Sequence, residues 1–428
     1  MNSKANVKVV VIGAGFAGLE AAKTLARSSI NLTIIDRLNH HLFQPLLYQV
    51  ATSGLSPAEI AYPIRSIFRR YENVNVVLGE VTNVDQRNRL VKVGHHTEFG
   101  YDYLIVATGA SHNYFGHPEW DVLAPGLKSI DDATEIRRRI LLAFEEAEVE
   151  PNPQRQEALM TFVIVGGGPT GVEMAGAIAE LARFALRRDF RHINPRTAKI
   201  ILVEGGDRIL QTFPPSLSAK ARLSLERLGV KVLSGSFVSH IDKQGVRIGD
   251  QQIPSSTVIW AAGVQASPVG KFFDAILDAS GRVEVTQNLN LANDKRVFVV
   301  GDLALVRWTD NTFVPGVAPA AMQQGRHAAR NILRDIENKP LLPFKYFNKG
   351  NLATIGRAAA VADFTKIRLS GYIAWMTWLV VHLAFLVGFK NRLFVLLQWM
   401  WSYFSFQKGT RLITGGIKRF RDRLPGPE

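Results

Sequence analysis

VKVVVIGAGFAGLEAAKTLA, residues 7–26, joins a β-branched run to a helical pattern through G-x-G-x-x-G, and TFVIVGGGPTGVEMAGAIAEL, residues 161–181, does the same again. An isolated glycine motif often marks only a tight strand-to-helix turn. The strand before it and the helix after it are what make it a dinucleotide site. Gly13 and Gly166 permit the turn, Gly15 and Gly168 let the backbone approach a pyrophosphate, and Gly18 and Gly171 let helix pack on strand. The helix start then faces the phosphates with its positive end.

Each copy is expected to end its second strand in an acid for the ribose hydroxyls. NLTIIDR supplies Asp36, eighteen residues after Gly18 and near the usual spacing of about 20. KIILVEGGDR supplies Glu204, 33 residues after Gly171, so this assignment rests on the strand pattern, with ELARFALRRDFRHINPRTAK read as a longer helix and connection. A carboxylate at 204 repels a 2′-phosphate, and the second site is expected to prefer NADH to NADPH. Two dinucleotide sites point to electron transfer between two cofactors, most simply NADH and a tightly held FAD. YDYLIVATGAS (101–111) and VFVVGDLA (297–304) are strands ending in small residues, and the second places Asp302 to bind a ribityl hydroxyl. STVIWAAGV (256–264) repeats the first pattern after the second glycine motif. The order predicts an α/β chain of two Rossmann-type domains with a C-terminal membrane-associating helical region. The FAD domain takes residues 1–125 and 266–345, the inserted NADH domain 126–265, and the C-terminal region 346–428.

Composition narrows the chemistry. The 428 residues suffice for more than one core. The absence of cysteine removes any thiolate, disulfide relay or thiolate metal site, and no residue cluster supports a metal. MNSKANVKVVVIG has too short an apolar run for a signal peptide, and the chain is expected in the cytoplasm. The net charge of +14 is uneven, with +6 of it in residues 371–428 beside an apolar run, an arrangement that favours an anionic membrane over nucleic acid.

GAGFAGLEAA, HHLFQPLLYQVAT (40–52), YDYLIVATGA, SIDDATEIR (129–137), GGGPTGVEMAG, VFVVGD and PGVAPAAMQQG together resemble the type II, non-proton-pumping NADH:quinone oxidoreductases, from about Val7 through the apolar tail. Disulfide reductases, thiol peroxidases and sulfide:quinone reductases use cysteines, which this chain lacks. A soluble ferredoxin-type reductase and a redox-regulated FAD/NAD-binding protein are the alternatives; the apolar tail argues against the first. The family motif A-Q-x-A-x-Q reads Ala318, Pro319, Ala320, Ala321, Met322, Gln323 here, with proline at the first glutamine. Pro319 suits the first position of a helix, and free N–H groups after it are expected to face the flavin. The resemblance implies that Ala318, Pro319, Ala320 and Gln323 lie at the flavin. It also implies that Glu173, a common kind of first-turn acid, acts near nicotinamide and flavin in a positioning or proton-linked role. His40 and His41 read as structural or surface groups. The FAD residues are then Gly13, Gly15, Gly18, Asp36, Thr108, Gly109, Asp302 and those of the helix start. The NADH residues are Gly166, Gly168, Gly171, Glu173, Glu204 and Gly263, with Glu173 and Gln323 as the catalytic pair.

GYIAWMTWLVVHLAFLVGF, residues 371–389, has no Asp, Glu, Lys or Arg, and four of the seven tryptophans (Trp375, Trp378, Trp399, Trp401) fall in the tail, a distribution typical of the bilayer interface. A core helix pair, a transmembrane hairpin and helices lying in one leaflet compete for it. A hairpin would carry Lys390 and Arg392 outward, and LFVLLQWMWSYFSF is only fourteen residues, about 21 Å as helix. Helices in the cytoplasmic leaflet of the inner membrane fit better. Lys390, Arg392, Lys408 and Arg411 then meet headgroups, and residues 371–411 form a peripheral or monotopic anchor that reaches a membrane quinone of the respiratory chain. A homodimer contact is the competing use of that surface. Removing residues 371–428 is expected to spare both dinucleotide sites.

Overall fold

The structure, a computed structural model, describes residues 7–405 and 409–414. In chain order the strands that carry the sites are β1 (Lys8–Ile12), β2 (Asn31–Asp36), β3 (Val74–Leu78), β4 (Tyr103–Val106), β5 (Thr161–Val165), β6 (Lys199–Glu204), β7 (Val230–Ser234), β8 (Thr257–Trp260), β9 (Val297–Val299), β10 (Asn351–Gly356), β11 (Ala359–Asp363) and β12 (Arg368–Gly371). The helices are α1 (Phe16–Leu25), α2 (Leu47–Ala51), α3 (Ile130–Val149), α4 (Pro169–Glu180), α5 (Ala318–Ile336), α6 (Tyr372–Phe385) and α7 (Phe389–Ser405). The chain forms two compact units. One takes Met1–Leu42, Ala61–Asn113 and Val264–Lys349; the other takes Phe43–Ile60, Tyr114–Gly263 and Gly350–Glu428.

The first unit is built on a five-stranded parallel sheet in the order β9-β4-β1-β2-β3. Parallel strands are covered on both faces, so they read as continuous apolar runs, as in KVVVI with Val9 to Ile12 all buried. Helices α1 and α5 lie backbone to backbone, since a Cβ on Gly325 would stand 2.0 Å from the carbonyl oxygen of Ala17.

The second unit holds a four-stranded parallel sheet, β7-β6-β5-β8, over a core of Val163, Val203, Val258 and Trp260. Phe144 of α3 packs on Phe162 of β5 with ring centroids 5.2 Å apart. The antiparallel sheet β10-β11-β12 lies against α4, where a Cβ on Gly176 would stand 1.7 Å from the carbonyl oxygen of Ile355.

The tail forms two helices broken at Leu386–Gly388, with Gly388 at φ +88°. Among the described residues no helix is long and apolar enough to cross a membrane. Both helices are divided between inward and outward faces. Ala374, Trp378 and Val395 are buried, whereas Ile373, Val380, Leu397 and Trp401 are exposed, Trp401 by 66%. The expectation that all four tail tryptophans serve a bilayer interface is therefore corrected. Trp378 is 2% exposed and faces the interior, and Trp399 is half-buried, bonding to Gln49. Arg411 is likewise tied inward, its guanidinium paired with Asp189 and donating to Ala185 O. Lys408 lies outside the described residues.

Candidate active site

In the first unit Gly13 sits at φ +92°, and a Cβ there would meet the carbonyl oxygen of Ala107 at 2.4 Å, so the turn admits only glycine. Gly18 is closed in the same way by Gly13 O, 1.8 Å or less from any added Cβ in both copies of the motif, Gly171 against Gly166 O being the other. Gly15 differs: nothing lies within 4 Å of a Cβ built on it. It caps α1 without any side-chain hydrogen bond, which leaves the helix start open to an anion. Asp36 at the end of β2 accepts from Ala14 N at 2.6 Å and Leu38 N at 2.7 Å, while burial raises its carboxyl above the ordinary value. Beneath the loop, His41 Nδ1 bonds Ala14 O at 2.8 Å, and the ring meets Phe16 edge-on. Burial lowers His41 to about 4, so it stays neutral and braces the turn.

Thr108 and Gly109 follow β4, and the Thr108 hydroxyl is buried without a hydrogen-bond partner among the described residues. Asp302 lies in the short turn after β9, where Gly301 N donates to the buried Gln324 Oε1 at 2.7 Å. At the third element of the site, α5 begins at Ala318, which puts Pro319 second rather than first. The N–H groups of Ala320 and Ala321 both return to Val317 O at 3.0 Å, so the expected free donors are occupied, and what remains is the helix dipole. Gln323 is also committed within its own unit. Its amide donates to Pro319 O and Phe347 O and accepts from Phe347 N, all at 3.0 Å.

The second unit repeats the loop. Gly166 has φ +112° against Ala261 O at 2.4 Å, and Gly168 caps α4 with nothing within 4 Å of a Cβ. Glu204 takes the place of Asp36, its Oε2 accepting from Gly167 N at 2.6 Å and its Oε1 from Gly206 N at 2.7 Å and Gln211 Nε2 at 3.0 Å. Gly263 follows β8 at the same end of the sheet. Glu173 is the fifth residue of α4, beyond the first turn, so the first-turn reading does not hold. Among the described residues its Oε1 receives only a long 3.5 Å bond from Thr354 N, and burial raises the carboxyl to about 8.

Residues that sequence reasoning missed lie beside Glu173. Tyr48 of α2 is buried, and burial together with the neighbouring carboxylates Glu173 and Glu180 holds its phenol well above the ordinary value. Its hydroxyl accepts from Gln49, which in turn accepts from Trp399 of α7. Only the L-L-Y-Q run within HHLFQPLLYQVAT pointed there, and no spacing rule attached a role to it.

A family model described as pyridine nucleotide-disulphide oxidoreductase matches residues 7–325, and one described as the NDH2 C-terminal domain matches residues 348–405. Over 97% of its length the chain is 43% identical to the type II NADH:quinone oxidoreductase Ndh of Mycobacterium tuberculosis, covering 92% of that relative. It is 44% identical to NdhA of the same organism, over 95% of this chain and 89% of the relative. The structure of NDH2 from Plasmodium falciparum in complex with NADH matches with a TM-score of 0.86 at 20% identity, over 96% of this chain and 100% of that one, a likeness of fold.

Proposed function

The chain belongs to the type II NADH:quinone oxidoreductases, and from that premise we infer how its residues divide the work. It is a flavoprotein that oxidises NADH and reduces quinone. The observation that carries the cofactor assignment is the pair of glycine loops. Each ends in a helix start open to an anion, and each is braced by the acid of the neighbouring strand. The open space over Gly15 and the unpartnered Thr108 hydroxyl fit a dinucleotide in the first unit. Bound there, FAD would supply the acceptor for a hydride from NADH and the donor of two electrons to quinone.

Gly13, Gly15, Gly18, Asp36, Thr108, Gly109 and Asp302 are assigned to holding FAD, with the start of α5 at Ala318, Pro319 and Ala320 directing its dipole at reduced flavin. Gln323 acts indirectly, by fixing Phe347 along α5. Gly166, Gly168, Gly171, Glu204 and Gly263 are assigned to NADH. Glu173 holds a proton near neutral pH and is the group from which one can be supplied or recovered. The domain assignment gives FAD residues 1–125 and 266–345 and NADH residues 126–265, although Phe43–Ile60 and residues 114–125 pack in the second unit.

The outward apolar faces of α6 and α7, with Lys390 and Arg392 exposed in the first turn of α7, support docking on the cytoplasmic surface of the inner membrane. A homodimer through the same faces is the competing reading, and a monodisperse monomer in detergent excludes it. The decisive experiment uses the purified full chain with NADH and a soluble quinone analogue. Yellow protein that bleaches with NADH and recovers with quinone is expected; colourless protein, or no bleaching, overturns the reading.

A further inference from the structure

A chain of hydrogen bonds in the second unit runs from α7 to α2 in one fixed direction. Trp399 Nε1 donates to Gln49 Oε1 at 2.7 Å, and Gln49 Nε2 donates to Tyr48 Oη at 2.8 Å. The two ends of an amide are ordinarily interchangeable in a structure. Here they are not. An indole has only a proton to give, so the oxygen of Gln49 must face Trp399 and its NH2 must face Tyr48. The Tyr48 oxygen is thus an acceptor, and its single proton has to leave in another direction.

Tyr48 is buried, 6% exposed, and among the described residues no acceptor takes that proton. Glu173 is close enough to disfavour ionisation of the phenol, yet the hydrogen bond its carboxyl receives comes from Thr354 N. A second buried donor stands in the same aromatic group. The indole N–H of Trp378 has no partner among the described residues, and its ring lies 5.3 Å from Trp399 and 4.3 Å from His382. A buried donor without an acceptor costs about 1–3 kcal/mol, so such donors mark a place where an acceptor is to be received. A quinone headgroup offers two carbonyl oxygens and no proton of its own.

We propose that Tyr48 contacts the quinone, donating its hydroxyl proton in a hydrogen bond to one carbonyl oxygen, and that Gln49 and Trp399 are positioning residues that hold the hydroxyl in that direction. The proposal rests on the NADH:quinone reading and deepens it. It also makes α7 a double-sided element, with one face outward and the other setting the polarity of a substrate contact through two hydrogen bonds.

The test uses the full-length enzyme with a short-chain quinone, and its NADH:ferricyanide rate as the measure of flavin loading. Tyr48→Phe keeps the ring and removes the proton, and kcat/KM for quinone is expected to fall about tenfold, mainly through KM. Trp399→Phe keeps the aromatic surface and frees Gln49 to turn, and it is expected to lose most of the same factor. Because both act through one hydroxyl, the double variant should be no worse than Tyr48→Phe alone. Calorimetric binding of a redox-inactive quinone analogue should weaken by the same factors in each variant. Wild-type quinone kinetics in Tyr48→Phe overturn the contact, and losses that multiply in the double variant overturn the positioning role. If Tyr48→Phe loses its flavin, the binding measurement on Trp399→Phe decides, unchanged affinity counting against the proposal. A wild-type enzyme that reduces no quinone sinks the functional reading instead.

Discussion

Glu204 shows how much one carboxylate does in a glycine loop. It accepts from Gly167 N, Gly206 N and Gln211 Nε2, so it holds the loop as well as offering a remaining lone pair to a ribose hydroxyl. Glu204→Gln sets a donor against backbone donors at a cost of about 1–3 kcal/mol, and it removes the charge that repels a 2′-phosphate. The variant is expected to melt earlier, and its kcat/KM preference for NADH over NADPH to shrink about tenfold. An unchanged preference would assign cofactor choice to another residue. Glu173 makes a separate statement about pH. Burial raises its carboxyl from 4.5 to about 8, so the folded chain keeps a proton that the unfolded chain releases. Its contribution to stability is whole below about 4.5 and is lost as pH rises through about 8. The urea midpoint of the wild type should decline across that window, and Glu173→Gln, neutral throughout, should flatten the decline; parallel slopes would place the buried charge elsewhere.

At the scale of elements, the tail is less separable than its composition suggests. Ala374, Trp378 and Val395 are buried at 0%, 2% and 0% exposure, and large apolar side chains in such places contribute about 1.5–3 kcal/mol each. Removing residues 371–428 would strip a packed face from the second unit, so truncation is expected to lower stability as well as attachment. Charge on the outer face separates attachment from folding more cleanly. Leu397→Glu with Trp401→Glu, both at exposed positions, should keep the NADH:ferricyanide rate and reduce binding to anionic vesicles at least tenfold. Undiminished binding would locate the docking surface elsewhere. The five residues of α2 carry a similar lesson, since they belong with the second unit although strands of the first stand on either side of them in the chain.

Across the whole molecule, what was legible in the sequence is what local sterics dictate. A residue at φ +92° or pressed against a carbonyl must be glycine, and that necessity leaves a readable spacing. Asp36 and Glu204 were legible because each ends a strand next to its loop. The bonds from Gln323 to Phe347 and from Trp399 to Gln49 were not, because an amide is defined by its partners, and these stand 24 and 350 residues away. The division of the chain has a further outcome. The first unit is assembled from three separated segments, the last ending at Lys349, and its sheet needs β9 beside β4. The parallel sheet of the second unit is continuous within Thr161–Trp260. On the ribosome, therefore, the glycine loop synthesised first is completed last. Its apolar strand β4 waits through the making of some two hundred residues for a neighbour still untranslated, which leaves one edge of the nascent amino-terminal sheet open to a chaperone.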